Sequence, residues 1–143
     1  MEKIFHRTTA LLSGLVFFGL LLSGCSCNKE DVKEKYLQSN DIILWVDGET
    51  VLKYDPLTWQ LGHDKSKNEY RVHSDNMGKY YIVTCSSVPS SEGTTVKANV
   101  KWSTGAGSSS RDGDFTVEEI SSDGKIRLWC ASKKIGATVV SLQ

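Results

Sequence analysis

Residues 115–142 read FTVEEISSDGKIRLWCASKKIGATVVSL. Three short apolar-rich runs, Phe115 to Ile120, Lys125 to Ala131 and Ile135 to Leu142, are separated by Ser121-Ser122-Asp123-Gly124 and Ser132-Lys133-Lys134. Runs of this length, punctuated by small polar residues, form strands joined by tight turns, and three in succession make an antiparallel meander. Successive side chains of a strand alternate between faces, so Ile126, Leu128 and Cys130 share one side of the middle run and Arg127 and Trp129 the other. With the first side as core, Trp129 and Arg127 face outward.

The same grammar extends toward the N-terminus. Val96, Ala98, Val100 and Trp102 alternate with Lys97, Asn99 and Lys101, the cleanest half-buried strand in the chain. Lys79 to Ser86 is apolar at both parities and reads as a central strand. Leu57, Trp59 and Leu61 form one apolar face, and beyond a polar turn at Lys65 to Asn68 so do Tyr70 and Val72. Ile42 to Val46 and Glu49 to Tyr54 flank Asp47-Gly48, a two-residue connection that favours a hairpin because Gly tolerates positive φ. Trp45 shares parity with Asp47 and is expected to face outward like Trp129. Eight or nine short strands without a long helix imply an all-β fold, a small antiparallel β-sandwich or, as the alternative, a small antiparallel β-barrel. Asp75-Asn76-Met77-Gly78-Lys79-Tyr80 resembles the Asp-x-x-Gly-x-Tyr corner of immunoglobulin-like bacterial domains. That resemblance implies the sandwich, with the Tyr80 hydroxyl turned inward and bonded to the backbone.

Upstream of residue 41 the composition changes. Residues 26–40 are polar and charged and read as a tether. Lys3, His6 and Arg7 precede Thr8 to Leu22, a stretch without charge that is too short for a membrane span of about 20 residues and has the layout of a signal peptide. Leu22-Ser23-Gly24-Cys25 follows, and all four positions resemble the lipobox of bacterial lipoproteins. The resemblance implies removal of residues 1–24, acylation of Cys25, a lipidated tether over 25–40, and a single β domain over 41–143. Ser26 follows the cysteine in place of the Asp that retains enteric lipoproteins at the inner membrane, which implies the outer membrane; Lys29-Glu30-Asp31 resembles a short signal for cell-surface exposure. The acyl chains then serve as the membrane attachment.

Of 143 residues, 24 belong to this leader, leaving 119, enough for one domain. The chain's 17 basic and 17 acidic residues include Lys3, Arg7 and Glu2 in the leader, so the mature chain carries one net negative charge. No basic stripe marks a nucleic-acid partner. Cys27, Cys85 and Cys130 remain after lipidation, and three cysteines allow one bridge and one free thiol. A Cys85–Cys130 disulfide is the favoured pairing, against two buried thiols or a bridge through Cys27.

Raw material for catalysis is thin. His63-Asp64 with His73 and Asp75 lacks the spacing of a helical or ribbon metal site, and solvated histidines explain it better. Gly105-Ala106-Gly107-Ser108-Ser109-Ser110 lacks the Lys of a phosphate loop and reads as a flexible connection. Asp112-Gly113-Asp114 offers oxygen ligands for calcium but reads as an ordinary turn. The functional expectation is a non-catalytic envelope module that binds a protein or glycan, with Trp45, Trp129 and Arg127 as its binding surface and no metal or cofactor. An inhibitor of an extracellular hydrolase is the alternative, and a small metal-dependent hydrolase the third reading. Lipidation gives the first test: Cys25→Ala is expected to release the protein from membrane fractions or to leave the uncleaved precursor. A cleaved, acylated, membrane-bound Cys25→Ala protein would overturn the address.

Overall fold

A computed structural model describes residues 41–142 of the chain. The expected lipidation at Cys25, and Cys27 with it, lie outside the described residues. Nine antiparallel strands form one sheet: β1 Ile43–Val46, β2 Glu49–Lys53, β3 Trp59–Asp64, β4 Glu69–Ser74, β5 Tyr80–Cys85, β6 Thr95–Ser103, β7 Ser108–Ile120, β8 Lys125–Cys130 and β9 Ile135–Val140. Their order is β2-β1-β9-β8-β7-β6-β5-β4-β3. From β3 to β9 the chain meanders, each strand pairing with the next, and the N-terminal hairpin attaches beside β9. All nine pair into a single sheet, so the two separately paired sheets of the expected sandwich are not formed; the alternative, a small barrel, comes nearer.

Chain length explains why this sheet curls. Consecutive strands β2 and β3 occupy its two opposite edges. Laid flat, nine strands would put those edges roughly 38 Å apart at about 4.8 Å per spacing. Lys53 and Trp59 are joined by a link that spans at most about 20 Å when fully extended. The edges must therefore approach each other, and the sheet becomes an open barrel with its apolar face inside. Asp55 Oδ1 shapes the link by accepting from Leu57 N at 2.9 Å, and Asp75 N donates to Thr58 O at 2.8 Å, fastening the link to the β4–β5 turn. Leu57, expected on the apolar face with Trp59 and Leu61, sits in this turn instead and is exposed.

The Asp47-Gly48 turn has φ of 52° and 93°, the two positive values that a type I′ hairpin requires and the reason Gly is suited to its second position. Inward residues follow the alternation read from the sequence: Leu44 and Val46, Tyr70 and Val72, Val96, Ala98 and Val100, Phe115 and Val117, Ile126, Leu128 and Cys130 are all buried. Truncating a side chain as large and enclosed as Phe115 costs about 3–5 kcal/mol. β9 is buried along both faces.

Four expectations are corrected. The glycine-serine segment is a turn only up to Gly107, because β7 begins at Ser108 and pairs continuously with β6. Asp112-Gly113-Asp114 therefore lies within a strand rather than a turn. The corner reading of Tyr80 also fails, since Tyr80 is only partly buried while Tyr81 is fully enclosed. Finally, β5 is paired on both edges, as a central strand should be, yet only its Tyr81–Val83–Cys85 face is core.

Two tyrosines show what the interior does to a hydroxyl. Tyr81 Oη donates to Thr138 O at 2.6 Å, crossing from β5 to β9, and burial pushes its ionisation well above the ordinary range. Tyr54 Oη is enclosed without a hydrogen-bond partner, and burial raises its pKa to about 12. An unmade buried hydrogen bond costs the group's desolvation, whereas deleting a paired hydroxyl orphans its acceptor. Tyr81→Phe is expected to lower unfolding free energy by about 1–2 kcal/mol, and Tyr54→Phe to leave it unchanged or raise it by up to about 1 kcal/mol. Urea unfolding of both variants checks this; equal losses would show that Tyr54 finds a partner in solution.

Candidate functional site

The outer face of β1, β9 and β8 gathers the residues marked as a binding surface. Trp45 pairs across to Gly136 and Gly136 to Trp129, so both indoles flank one glycine on the same face. Their ring centroids lie 4.8 Å apart with planes tilted by 58°. The quadrupole of the rings disfavours a face-to-face sandwich, and a tilted pair avoids it. A Cβ on Gly136 would stand 2.9 Å from Trp129 Cε3, so the indole keeps this position only because residue 136 has no side chain. Both tryptophans keep part of their surface open to solvent.

Arg127 is the next outward residue of β8 and pairs with Thr138 of β9. It meets Glu119 at 3.4 Å, an exposed pair of the kind that adds little stability. A bulge in β7 sets the opposite wall. Thr116 faces Trp129 and Glu119 faces Arg127, leaving Glu118 as the extra residue between register shifts, so both carboxylates fall on the outer side. The result is a shallow groove of about 300 Å³, lined by Ile43, Trp45, Glu118, Arg127, Trp129 and Thr138 among others. Past Arg127 and Thr138 it runs into a smaller notch of about 100 Å³, where Lys125 Nζ is 3.1 Å from Asp41.

Glu118, Ile43, Gly136 and Thr138 were not singled out from sequence. A signal for Glu118 did exist: in Phe115-Thr116-Val117-Glu118-Glu119-Ile120 the alternation slips by one residue, which is how a bulge appears in sequence. Gly136 carried no comparable mark, because its role depends on a neighbour from another strand.

Other candidates separate. Cys85 and Cys130 both face the core as free buried thiols, so the favoured disulfide is not formed. Strands β6 and β7 stand between them, three spacings or roughly 14 Å along the sheet. A disulfide requires Cα atoms within about 7 Å. Burial pushes the Cys85 thiol up to about 11. His63 and His73 occupy opposite ends of the β3–β4 hairpin, facing Tyr70 and Gln60 respectively. His63 stacks on Tyr70, its Nδ1 accepts from Leu142 N at 3.1 Å, and burial holds its pKa below the ordinary value. Asp64 is used by Ser66, and Asp75 accepts from Gln60. Asp112 and Asp114 pair across the sheet with Asn99 and Lys97, not with each other. Among the remaining tryptophans, Trp59 is core and Trp102 lies beneath the Arg111 guanidinium at 5.7 Å.

A second cleft, of about 630 Å³, lies beside Cys85, Ala98 and Gly113. Its Lys97–Asp114 and Asn99–Asp112 pairs satisfy one another, which leaves the tryptophan groove as the better-built site.

The glycine beneath Trp129 provides a test. Replacing strand Gly by Ala ordinarily helps by about 0.5–1 kcal/mol, but forcing an atom into a filled space costs about 1–3 kcal/mol. Gly136→Ala is therefore expected to lower stability by about 1 kcal/mol and to change tryptophan emission by displacing the Trp129 ring. A stabilised variant with unaltered emission would remove the indole from its place over the glycine. No protein-family model matches this chain, and neither the curated proteins nor the solved structures contain a match to it.

Proposed function

We propose that this chain is a lipid-anchored, non-catalytic protein of the bacterial cell envelope, held at the outer membrane through Cys25, whose β domain binds a protein or glycan. The carrying observation is the pair of half-buried indoles side by side over Gly136, on the outer face of a strand whose inner face is already core. Two tryptophans are not needed there to close the interior, which Leu44, Leu128 and Ile135 fill from the other side. Aromatic surface left open beside paired charges is the composition of a recognition site rather than of an ordinary solvated face. The sequence supplies the address: a short apolar leader, four residues resembling a lipobox, and a polar tether before the domain.

A photocrosslinker tests the site without presuming the ligand. Benzoylphenylalanine at Ile43, in the groove, is expected to give adducts with an envelope component in intact cells, while the same group at the exposed Lys101 on β6 gives none. Equal labelling at both positions, or none at Ile43, would refute the groove as the binding face.

A further inference from the structure

The groove's chemistry narrows its occupant. Trp129 packs over Gly136, where a Cβ would stand 2.9 Å from its Cε3, and the indole keeps part of its surface open to solvent in the groove. A flat π surface of negative quadrupole suits the C–H face of a pyranose ring, whose hydrogens carry partial positive charge. Beside it the bulge places Glu118 on the groove wall opposite Arg127, an acceptor and a planar multiple donor that match vicinal hydroxyls. Bulges are recurrently used in this way to re-aim a side chain at a site.

Charge argues against an ionic polymer. Arg127 is paired with Glu119, and Lys125 with Asp41, so the cations of this face are already answered by carboxylates. Glu118 adds a negative charge that would oppose a polyanion. A protein partner fits less well, because stable protein interfaces bury at least about 1,000 Å² around apolar anchors. The large exposed apolar residues, Leu57, Met77 and Val88, lie on turns remote in sequence from the groove-lining strands and none of them lines it. A volume of about 300 Å³ stands at the lower limit of small-ligand clefts, roughly 300–1,000 Å³, as suits a short stretch of a longer chain.

We infer that the groove binds a neutral polysaccharide, with one sugar ring stacked on Trp129 and its hydroxyls shared between Glu118 and Arg127. This rests on the reading of the same groove as the binding face. The experiment uses the full-length protein in an amine-oxide detergent, which offers no sugar headgroup. Neutral hexasaccharides of glucose, mannose, xylose and galactose are titrated against intrinsic tryptophan fluorescence, with polygalacturonate as the anionic comparator. At least one neutral oligosaccharide should bind, with affinity reduced tenfold or more by Trp129→Ala and severalfold by Glu118→Gln. Arg127→Ala, at an exposed position, supplies a variant that leaves the fold intact if Trp129→Ala does not. Preference for polygalacturonate, binding indifferent to these substitutions, or no binding of any neutral sugar overturns the inference. Crosslinked protein at Ile43 without sugar binding would discard the glycan and keep the groove; neither crosslinks nor sugar binding would discard both.

Discussion

The architecture depends on a short piece of chain. β2 and β3 are neighbours in sequence and lie at the two extremes of a nine-stranded sheet, so the link between Lys53 and Trp59 sets an upper limit on the distance between its edges. Within that limit a flat sheet cannot exist. Curling turns one face into an interior, and the interior is filled by Tyr70, Tyr81 and Phe115. Crossing contacts then hold the curl: Tyr81 bonds to the backbone of β9, and Leu142 N bonds to His63 of β3. Elsewhere Arg111 of β7 grips Asp47 through both guanidinium nitrogens, at 3.0 and 2.9 Å, and the Lys133 carbonyl at 2.7 Å. That grip ties the β1–β2 and β8–β9 turns to a strand well along the sheet, and it pulls the Asp47 carboxyl below its ordinary pKa. Tyr54, on the link itself, bears a cost of closure in its unpartnered hydroxyl.

The inner face carries most of the core, and on the outer face β9 is buried as well, partly beneath the two indoles. β9 lies between β1 and β8, and its outward residues are Gly136, Thr138 and Val140, with the two indoles flanking Gly136. Gly136 and Trp129 form one device made of two residues, since the ring can pack over residue 136 only where no side chain rises. The bulge at Glu118 is its counterpart on β7: an insertion that disturbs the ladder and delivers a carboxylate to the groove. Both features carry a local cost that an ordinary barrel wall would avoid, and both converge on the same groove.

Much of this could be read locally. The Asp47-Gly48 hairpin, the alternation in Val96 to Trp102 and the outward parity of Trp45, Arg127 and Trp129 all stand in the structure as the sequence pattern indicates. The failures share one cause. Parity placed Cys130 on the core face and left the face of Cys85 open between two registers, and it says nothing about how many strands separate two residues. The Asp75 to Tyr80 segment has the residues of a corner, yet an interior shared with β9 selected Tyr81. In the serine-rich stretch, composition favours a loop, but pairing with β6 across Asn99, Lys101 and Ser103 draws Ser108 to Asp112 into a strand.

What the sequence determined by itself is therefore whatever depends on a few adjacent residues: strand positions, inward and outward faces, and turn geometry at positions of positive φ. Tertiary structure alone decided the order of the strands, the closing of the sheet into an open barrel, and the meeting of Trp45, Gly136, Trp129 and Glu118 from four strands in one groove. The division follows from physics. Alternation and turn preference are fixed by the stereochemistry of neighbouring residues, whereas which edges pair is fixed by the burial gained once distant segments meet, against the chain entropy lost in bringing them together.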